Sequence, residues 1–173
     1  MIYDFDTITD RTGTSCLKYD FAVERGKPAD ILPLWVADMD FPTAPAIRER
    51  LTEVATYGIY GYSDGKEDYF AAINSWYTKH FDWSVQRDWV IYTPGVVFAL
   101  SAAVRAFTAP GDGVLSQQPV YYPFTEVITD NDRVVVNSSL AFVNGRYQMD
   151  LADFEEKIVS NHVRLFLLCS PHN

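Results

Sequence analysis

Apolar residues recur at helical spacing early in the chain, then gather into short runs separated by helical stretches. Ile47, Leu51, Val54 and Ala55 follow an i, i+4, i+7, i+8 pattern. It predicts a helix opening near Thr43, a fair N-cap, with Pro45 in its first turn and Gly58 at its stop. A second helix is predicted from about Lys66 to His80, with Phe70, Ile73, Trp76 and Tyr77 on one face. Beyond it the pattern alternates. Trp89 to Tyr92 reads as a strand, Pro94-Gly95 as a turn and Val96 to Phe107 as a helix. Pro110 to Gly113 reads as a turn and Val114 to Ser116 as a strand. A helix around Pro123–Thr129, a strand at Arg133–Val136 and a helix at Asp150–Val159 follow, and Val163 to Cys169 (VRLFLLC) closes the series as an uninterrupted apolar strand. Strands separated by helices predict an α/β sheet, largely parallel, and a strand as apolar as VRLFLLC is normally covered on both faces. Residues 1–30 carry no sustained period and read as an arm lying on something else.

Composition narrows the function classes. The chain has 173 residues, 48% hydrophobic and 21% charged, ordinary for a soluble globular protein. A net charge of −9 with no Lys/Arg cluster argues against nucleic acid as a partner. No stretch reaches the roughly eighteen apolar residues of a membrane span, and the N-terminus lacks the basic and apolar regions of a signal peptide. Cys16 and Cys169 stand far apart, and His80, His162 and His172 are scattered, so neither a disulfide framework nor a metal site is expected. These features predict a reduced, cytoplasmic protein. Ser170-Pro171-His172-Asn173 follows a buried-type strand, where α/β sheets keep their ligand crevice, so the sequence is expected to be part of a longer domain.

Five stretches lie where such proteins keep their chemistry, and each has a plain alternative. Tyr92-Thr93-Pro94-Gly95-Val96-Val97 joins a strand to a helix. Unpaired N–H groups at a helix N-terminus can cradle a phosphate, but an ordinary strand–turn–helix needs the glycine too. In Gln118-Pro119-Val120-Tyr121-Tyr122-Pro123, a tyrosine stiffened by prolines could stack on a flat ring, or simply pack. Asp38 and Asp40 could do acid–base work or bind a metal, and from spacing alone turn and helix-start acids are the better reading. Tyr60-Gly61-Tyr62 lies between the first two helices and can be read as loop aromatics alone, and Asn173 could hydrogen-bond a ligand hydroxyl. Neither G-x-G-x-x-G nor a Walker-type phosphate loop is present, which argues against the usual nucleotide-binding α/β domains.

In order, these stretches resemble the cystathionine β-lyase/aminotransferase-like proteins of the MalY/PatB type, in fold type I of the pyridoxal 5′-phosphate (PLP) enzymes. The resemblance runs from Phe5-Asp6 and Asp10-Arg11-Thr12-Gly13-Thr14 through Leu34-Trp35-Val36-Ala37-Asp38-Met39-Asp40-Phe41 and Gly61-Tyr62-Ser63. It continues through Thr93-Pro94-Gly95-Val96-Val97 and Pro119-Val120-Tyr121 to Leu168-Cys169-Ser170-Pro171-His172-Asn173. It implies an aspartate-aminotransferase-like fold, a mostly parallel sheet sandwiched by helices. Residues 1–44 would be an arm associated with a small domain, and residues 45–173 the incomplete N-terminal part of the large PLP-binding domain. The implied activity is a PLP-dependent C–S β-lyase releasing a thiol, pyruvate and ammonia from a cysteine conjugate. A class I/II aminotransferase is the enzymatic alternative, and protein binding of the maltose-regulon-modulator kind the non-enzymatic one.

The resemblance also assigns roles. Gly95, Val96 and Val97 would hold the PLP phosphate, Tyr121 would stack on the pyridine ring, and Asn173 would bond the 3′-oxygen. Tyr62, with Tyr60 as its rival, would reach the phosphate of the neighbouring subunit, implying a homodimer with shared sites. Ala37 and Asp38 would line the substrate-carboxylate side, and Asp40 would be structural. The family's PLP lysine, pyridinium aspartate and substrate arginine lie downstream of the SPHN motif. None of Lys18, Lys27, Lys66, Lys79 or Lys157 sits in the expected serine-rich context. No catalytic residue is therefore expected within these 173 residues, and the chain alone is expected to be inactive.

Overall fold

A computed structural model describes residues 3–173. The chain divides into two compact units, one ending at Asp64 and the other running Gly65–Asn173. In the first, residues 3–44 form turns and extended segments, and helix α1 spans Pro45–Tyr57. The N-cap is Ala44, one residue past the expected Thr43, and it supplies no side-chain bond; Pro45 starts the helix because its missing N–H would have been unpaired there anyway. The arm has a small buried set of its own, with Cys16, Lys18 and Ala22 each under 7% exposed.

The second unit contains α2 (Glu67–Phe81), a 3₁₀ turn (Arg87–Trp89), α3 (Val96–Phe107), β1 (Gly113–Ser116) and α4 (Pro123–Thr129). It continues with β2 (Val134–Asn137), β3 (Ala141–Val143), β4 (Arg146–Gln148), α5 (Leu151–Ser160) and β5 (Val163–Phe166). The main sheet is parallel in the order β2-β1-β5. Successive strand residues point to opposite faces, so Val114, Val135 and Leu165, which share a register level, face one way. There they meet Leu100 and Val104 of α3 and Phe124, Val127 and Ile128 of α4 in one apolar cluster. Phe166 faces the other way, edge-on to Phe154 of α5 with ring centroids 5.0 Å apart. Helices thus cover both faces of the sheet. The central strand β1 is buried along its whole length.

Most helices fall where the apolar spacing predicts them, α3 with the same bounds. Asp150 proves to be the N-cap of α5 rather than its first residue, its carboxylate accepting from the amides of Ala152 and Asp153 at 3.1 Å. Two strand expectations change. Trp89–Tyr92 forms no ladder: Arg87–Trp89 is a 3₁₀ turn, and Ile91 is 85% exposed. An apolar run becomes a strand only beside a partner that takes its hydrogen bonds, and no strand among the described residues pairs with this one. VRLFLLC is a strand only over Val163–Phe166, with the Leu167 amide still donating to the Leu115 carbonyl at 3.0 Å, and Leu168 is 55% exposed. The strand is covered less than its composition suggests because β5, like β2, is an edge strand among the described residues.

The β3–β4 hairpin was not expected. Its turn is Asn144-Gly145, with φ of 51° and 76°, the paired positive values of a type I′ turn. Phe142 and Tyr147 face each other across the ladder, ring centroids 5.0 Å apart.

Candidate active site

The best-defined polar convergence in the second unit lies at the carboxyl ends of β1 and β5. The strands are adjacent and parallel, so the segments leaving them emerge on the same side. From β1 the chain runs through Gln117–Tyr122 into α4; from β5 it runs through Leu167 to Asn173. The Tyr121 amide donates to the Asn173 carbonyl at 2.6 Å, and His172 Nε2 lies 2.6 Å from the Pro119 carbonyl oxygen. Tyr121 and Asn173, far apart in sequence, therefore meet. Tyr121 is 41% exposed, and its ring stands edge-on to Tyr122 with centroids 5.3 Å apart. On the β2 side, Gln118 donates its amide to Asn137 Oδ1 at 3.0 Å and accepts from the Leu140 amide at 2.8 Å.

The same sheet end holds a feature that sequence reasoning missed. Ser116 Oγ, Gln117 Nε2 and Ser138 Oγ are buried without a hydrogen-bond partner among the described residues. Buried polar atoms are normally satisfied, and Ser116 and Ser138 are joined only through the ladder, Ser138 N to Ser116 O at 3.0 Å. Polar residues ending apolar strands are the only trace of this in the sequence.

Gly95 caps α3 with φ 111° and ψ 164°, a region open in practice to glycine alone. Thr93 Oγ1 donates to the Gly95 carbonyl at 3.1 Å. No side chain caps the first turn of α3, and Val96 and Val97 are 72% and 42% exposed, so the leading N–H groups have no side-chain partner among the described residues. A Cβ on Gly95 would meet nothing within 4 Å. Gly95, Val96 and Val97 form no hydrogen bond with Tyr121 or Asn173 among the described residues; α3 is linked to that sheet end by packing on α4 and β5.

In the first unit Ala37 is exposed and Asp38 is tied into an ion cluster. Arg11 reaches Asp38 Oδ2 at 2.5 Å through Nη2 and Asp40 Oδ1 at 2.7 Å through Nη1. Lys18, only 6% exposed, sends Nζ to the Asp38 carbonyl at 2.9 Å and to Asp40 Oδ2 at 3.1 Å, and the Tyr19 hydroxyl donates to the same oxygen at 3.1 Å. Two carboxylates balance two cations. Spacing alone favours turn and helix-start acids for this pair, and both carboxylates are ion-paired to Arg11 and Lys18. No grouping of residues suited to holding a metal ion occurs among the described residues. Tyr62 is fully exposed, whereas the Tyr60 hydroxyl donates to the Ala55 carbonyl at 3.1 Å.

The charge pairing contributes to the pH response of this unit. The Arg11 hydrogen bonds hold the Asp38 and Asp40 carboxyls below their ordinary range. Burial works against the Lys18 ammonium, but the Asp40 hydrogen bond and the attraction of both carboxylates outweigh it and raise its pKa. A depressed carboxyl stabilises the fold above its unfolded pKa of about 3.9, and that contribution is lost as pH falls through the folded value. A raised lysine stabilises below about 10.4 and loses its contribution as pH rises through the folded value. The clamp should therefore be at full strength between roughly pH 4 and pH 10. Asp40→Asn is expected to lower the thermal midpoint at pH 7 and to flatten its acid-side decline. Melting curves from pH 2 to pH 8 check this, and an unchanged acid limb would count against the clamp.

Comparison with known proteins gives these features a context. The chain is 41% identical over 170 residues to the cystathionine β-lyase PatB of Bacillus subtilis (strain 168), covering 98% of this chain and 44% of that protein. It is 34% identical over 173 residues to the protein MalY of Escherichia coli (strain K12), covering 99% of this chain and again 44% of the relative. Among solved structures, cystalysin from Treponema denticola, which contains a pyridoxal 5′-phosphate cofactor, is similar with a TM-score of 0.88 and 36% identity, covering 100% of this chain and 44% of that one. The chain thus spans less than half the length of each of these proteins. Residues 29–173 match the family model for aminotransferases of class I and II. With that match over most of its length, and a parallel sheet covered by helices like that of the solved relative, the chain belongs to the aminotransferase class I and II family.

Proposed function

We propose that the protein containing this chain is a PLP-dependent carbon–sulfur β-lyase, converting a cysteine conjugate such as cystathionine, with water, into a thiol, pyruvate and ammonia. The observation that carries the reading is the 41% identity to a cystathionine β-lyase over nearly the whole chain. The residues fit the cofactor by their chemistry. The open, uncapped first turn of α3 at Gly95, Val96 and Val97 offers amide donors suited to a phosphate. Tyr121 offers a half-exposed ring to the pyridine, and Asn173, joined to it through the backbone, offers a side-chain amide to the 3′-oxygen. When bound, PLP supplies an electron sink for the charge left at the substrate Cα. This chain's own residues bind and orient.

Ala37 and Asp38 would border the substrate carboxylate. Asp38 can stand beside an anion because Arg11 and Lys18 already neutralise it. Tyr62 suits contact with the phosphate of a second subunit better than Tyr60, whose hydroxyl is engaged within its own unit. That contact carries the proposal of a homodimer with shared sites. A cytoplasmic location is proposed from two free cysteines, and no helix of the described residues is long and apolar enough to cross a membrane.

A class I/II aminotransferase is the second reading, favoured by the family match itself. Full-length protein incubated with PLP and L-cystathionine distinguishes the two. The lyase releases pyruvate with no added 2-oxoacid; a strict requirement for a 2-oxoacid acceptor would assign the protein to the aminotransferases instead.

A further inference from the structure

The segment that leads into α3 has no ladder to hold it. Residues 90–94 are irregular, yet the turn at Gly95 depends on where they run. Arg87 grips this segment from one side and the start of α2 from the other. Its Nη1 donates to the Tyr92 hydroxyl at 2.6 Å and its Nη2 to the Gly65 carbonyl at 3.1 Å. The guanidinium carbon lies 5.6 Å from the Phe70 ring centroid and 6.0 Å from that of Tyr92, within cation–π range. Tyr69 adds a ring contact to Tyr92 at 5.3 Å. The fit is close: a Cβ on Gly65 would come within 3.1 Å of the Tyr92 hydroxyl oxygen. A planar fork with fixed charge suits two divergent acceptors in a way that a lysine does not.

We infer that Arg87 is a positioning residue for the phosphate cradle: by fixing Tyr92 against the start of α2, it sets the entry into α3 and hence the aim of the N–H groups at Gly95, Val96 and Val97. The inference rests on the PLP reading above and concerns the phosphate alone. It therefore separates two ligands that differ only there. Arg87→Met in the full-length apoprotein should weaken PLP binding by about tenfold, the order one charge-assisted hydrogen bond supports, while pyridoxal, which lacks the phosphate, binds as before.

Equilibrium titration by absorbance and fluorescence, paired with thermal melts, gives both affinities. Tyr92→Phe, which keeps the ring and removes the acceptor, should lose PLP affinity in the same direction, and Arg87→Lys should recover part of it. These results would support the assignment. Equal losses for PLP and pyridoxal would overturn the assignment and leave Arg87 a general structural role, and wild-type affinities for both ligands in Arg87→Met and Tyr92→Phe would overturn it outright. If the wild-type protein itself shows no preference for PLP over pyridoxal, the cofactor reading fails and the inference falls with it.

Discussion

Gly95→Val is expected to be among the most damaging single changes in the second unit, acting on stability and on cofactor binding together. With φ at 111° and ψ at 164°, Gly95 occupies backbone space that costs a side-chain-bearing residue about 1–3 kcal/mol. A β-branched side chain is among the worst choices for it. Crowding is not the cause, because a Cβ there would meet open space. The backbone must then either bear the strain or turn to negative φ and re-aim the first N–H groups of α3. On the first course the unfolding midpoint falls; on the second PLP affinity falls by tenfold or more, since about 1.4 kcal/mol per decade is readily lost with a phosphate contact. Urea unfolding and PLP titration of the full-length variant report the two separately. A variant like wild type in both would remove Gly95 from the cradle.

Ile128→Ala is expected to cost about 2–5 kcal/mol of folding stability. Ile128 is wholly buried in the cluster where α4 meets α3 and the sheet. At seven residues α4 is too short to persist by its own hydrogen bonds, so Phe124, Val127 and Ile128 hold it in place. Domains are typically stable by only about 5–15 kcal/mol, so the loss should shift the urea midpoint strongly with little change in slope. Tyr121 lies two residues before α4, so loosening the helix should loosen the ring as well. Val134→Ala, at a 54% exposed site on edge strand β2, is the control and should stay within about 0.5 kcal/mol.

What the sequence made legible, and what it hid, follows from the range of the interactions. The helices rest on local spacing, and α3 could be bounded from its own residues and the Gly95 turn. The class of the sheet was legible from the alternation of elements. Whether a given apolar run would pair was not: Val90-Ile91-Tyr92 is as apolar as β1, but a ladder depends on a neighbour that local pattern does not name. The hairpin was readable in principle, because Asn144-Gly145 is a strong short-range turn signal. Its strands are only three residues long and exposed, so no buried apolar alternation marks them.

In the candidate site, the resemblance named Tyr121, Asn173 and Gly95 by motif, and the meeting of Tyr121 with Asn173 came only with the parallel pairing of β1 and β5. Arg11 and the Asp38–Asp40 pair each sat in a stretch that carried the resemblance, but nothing local said that they touch across 27 and 29 positions. Arg87 carried no signal at all.

The outer flanks of β2 and β5 have a practical consequence. Among the described residues no strand pairs with either, and the nearest match for such an edge is the same edge on another copy. At high concentration the polypeptide is expected to associate through these flanks. Light scattering across a dilution series belongs beside any measurement made on it in isolation.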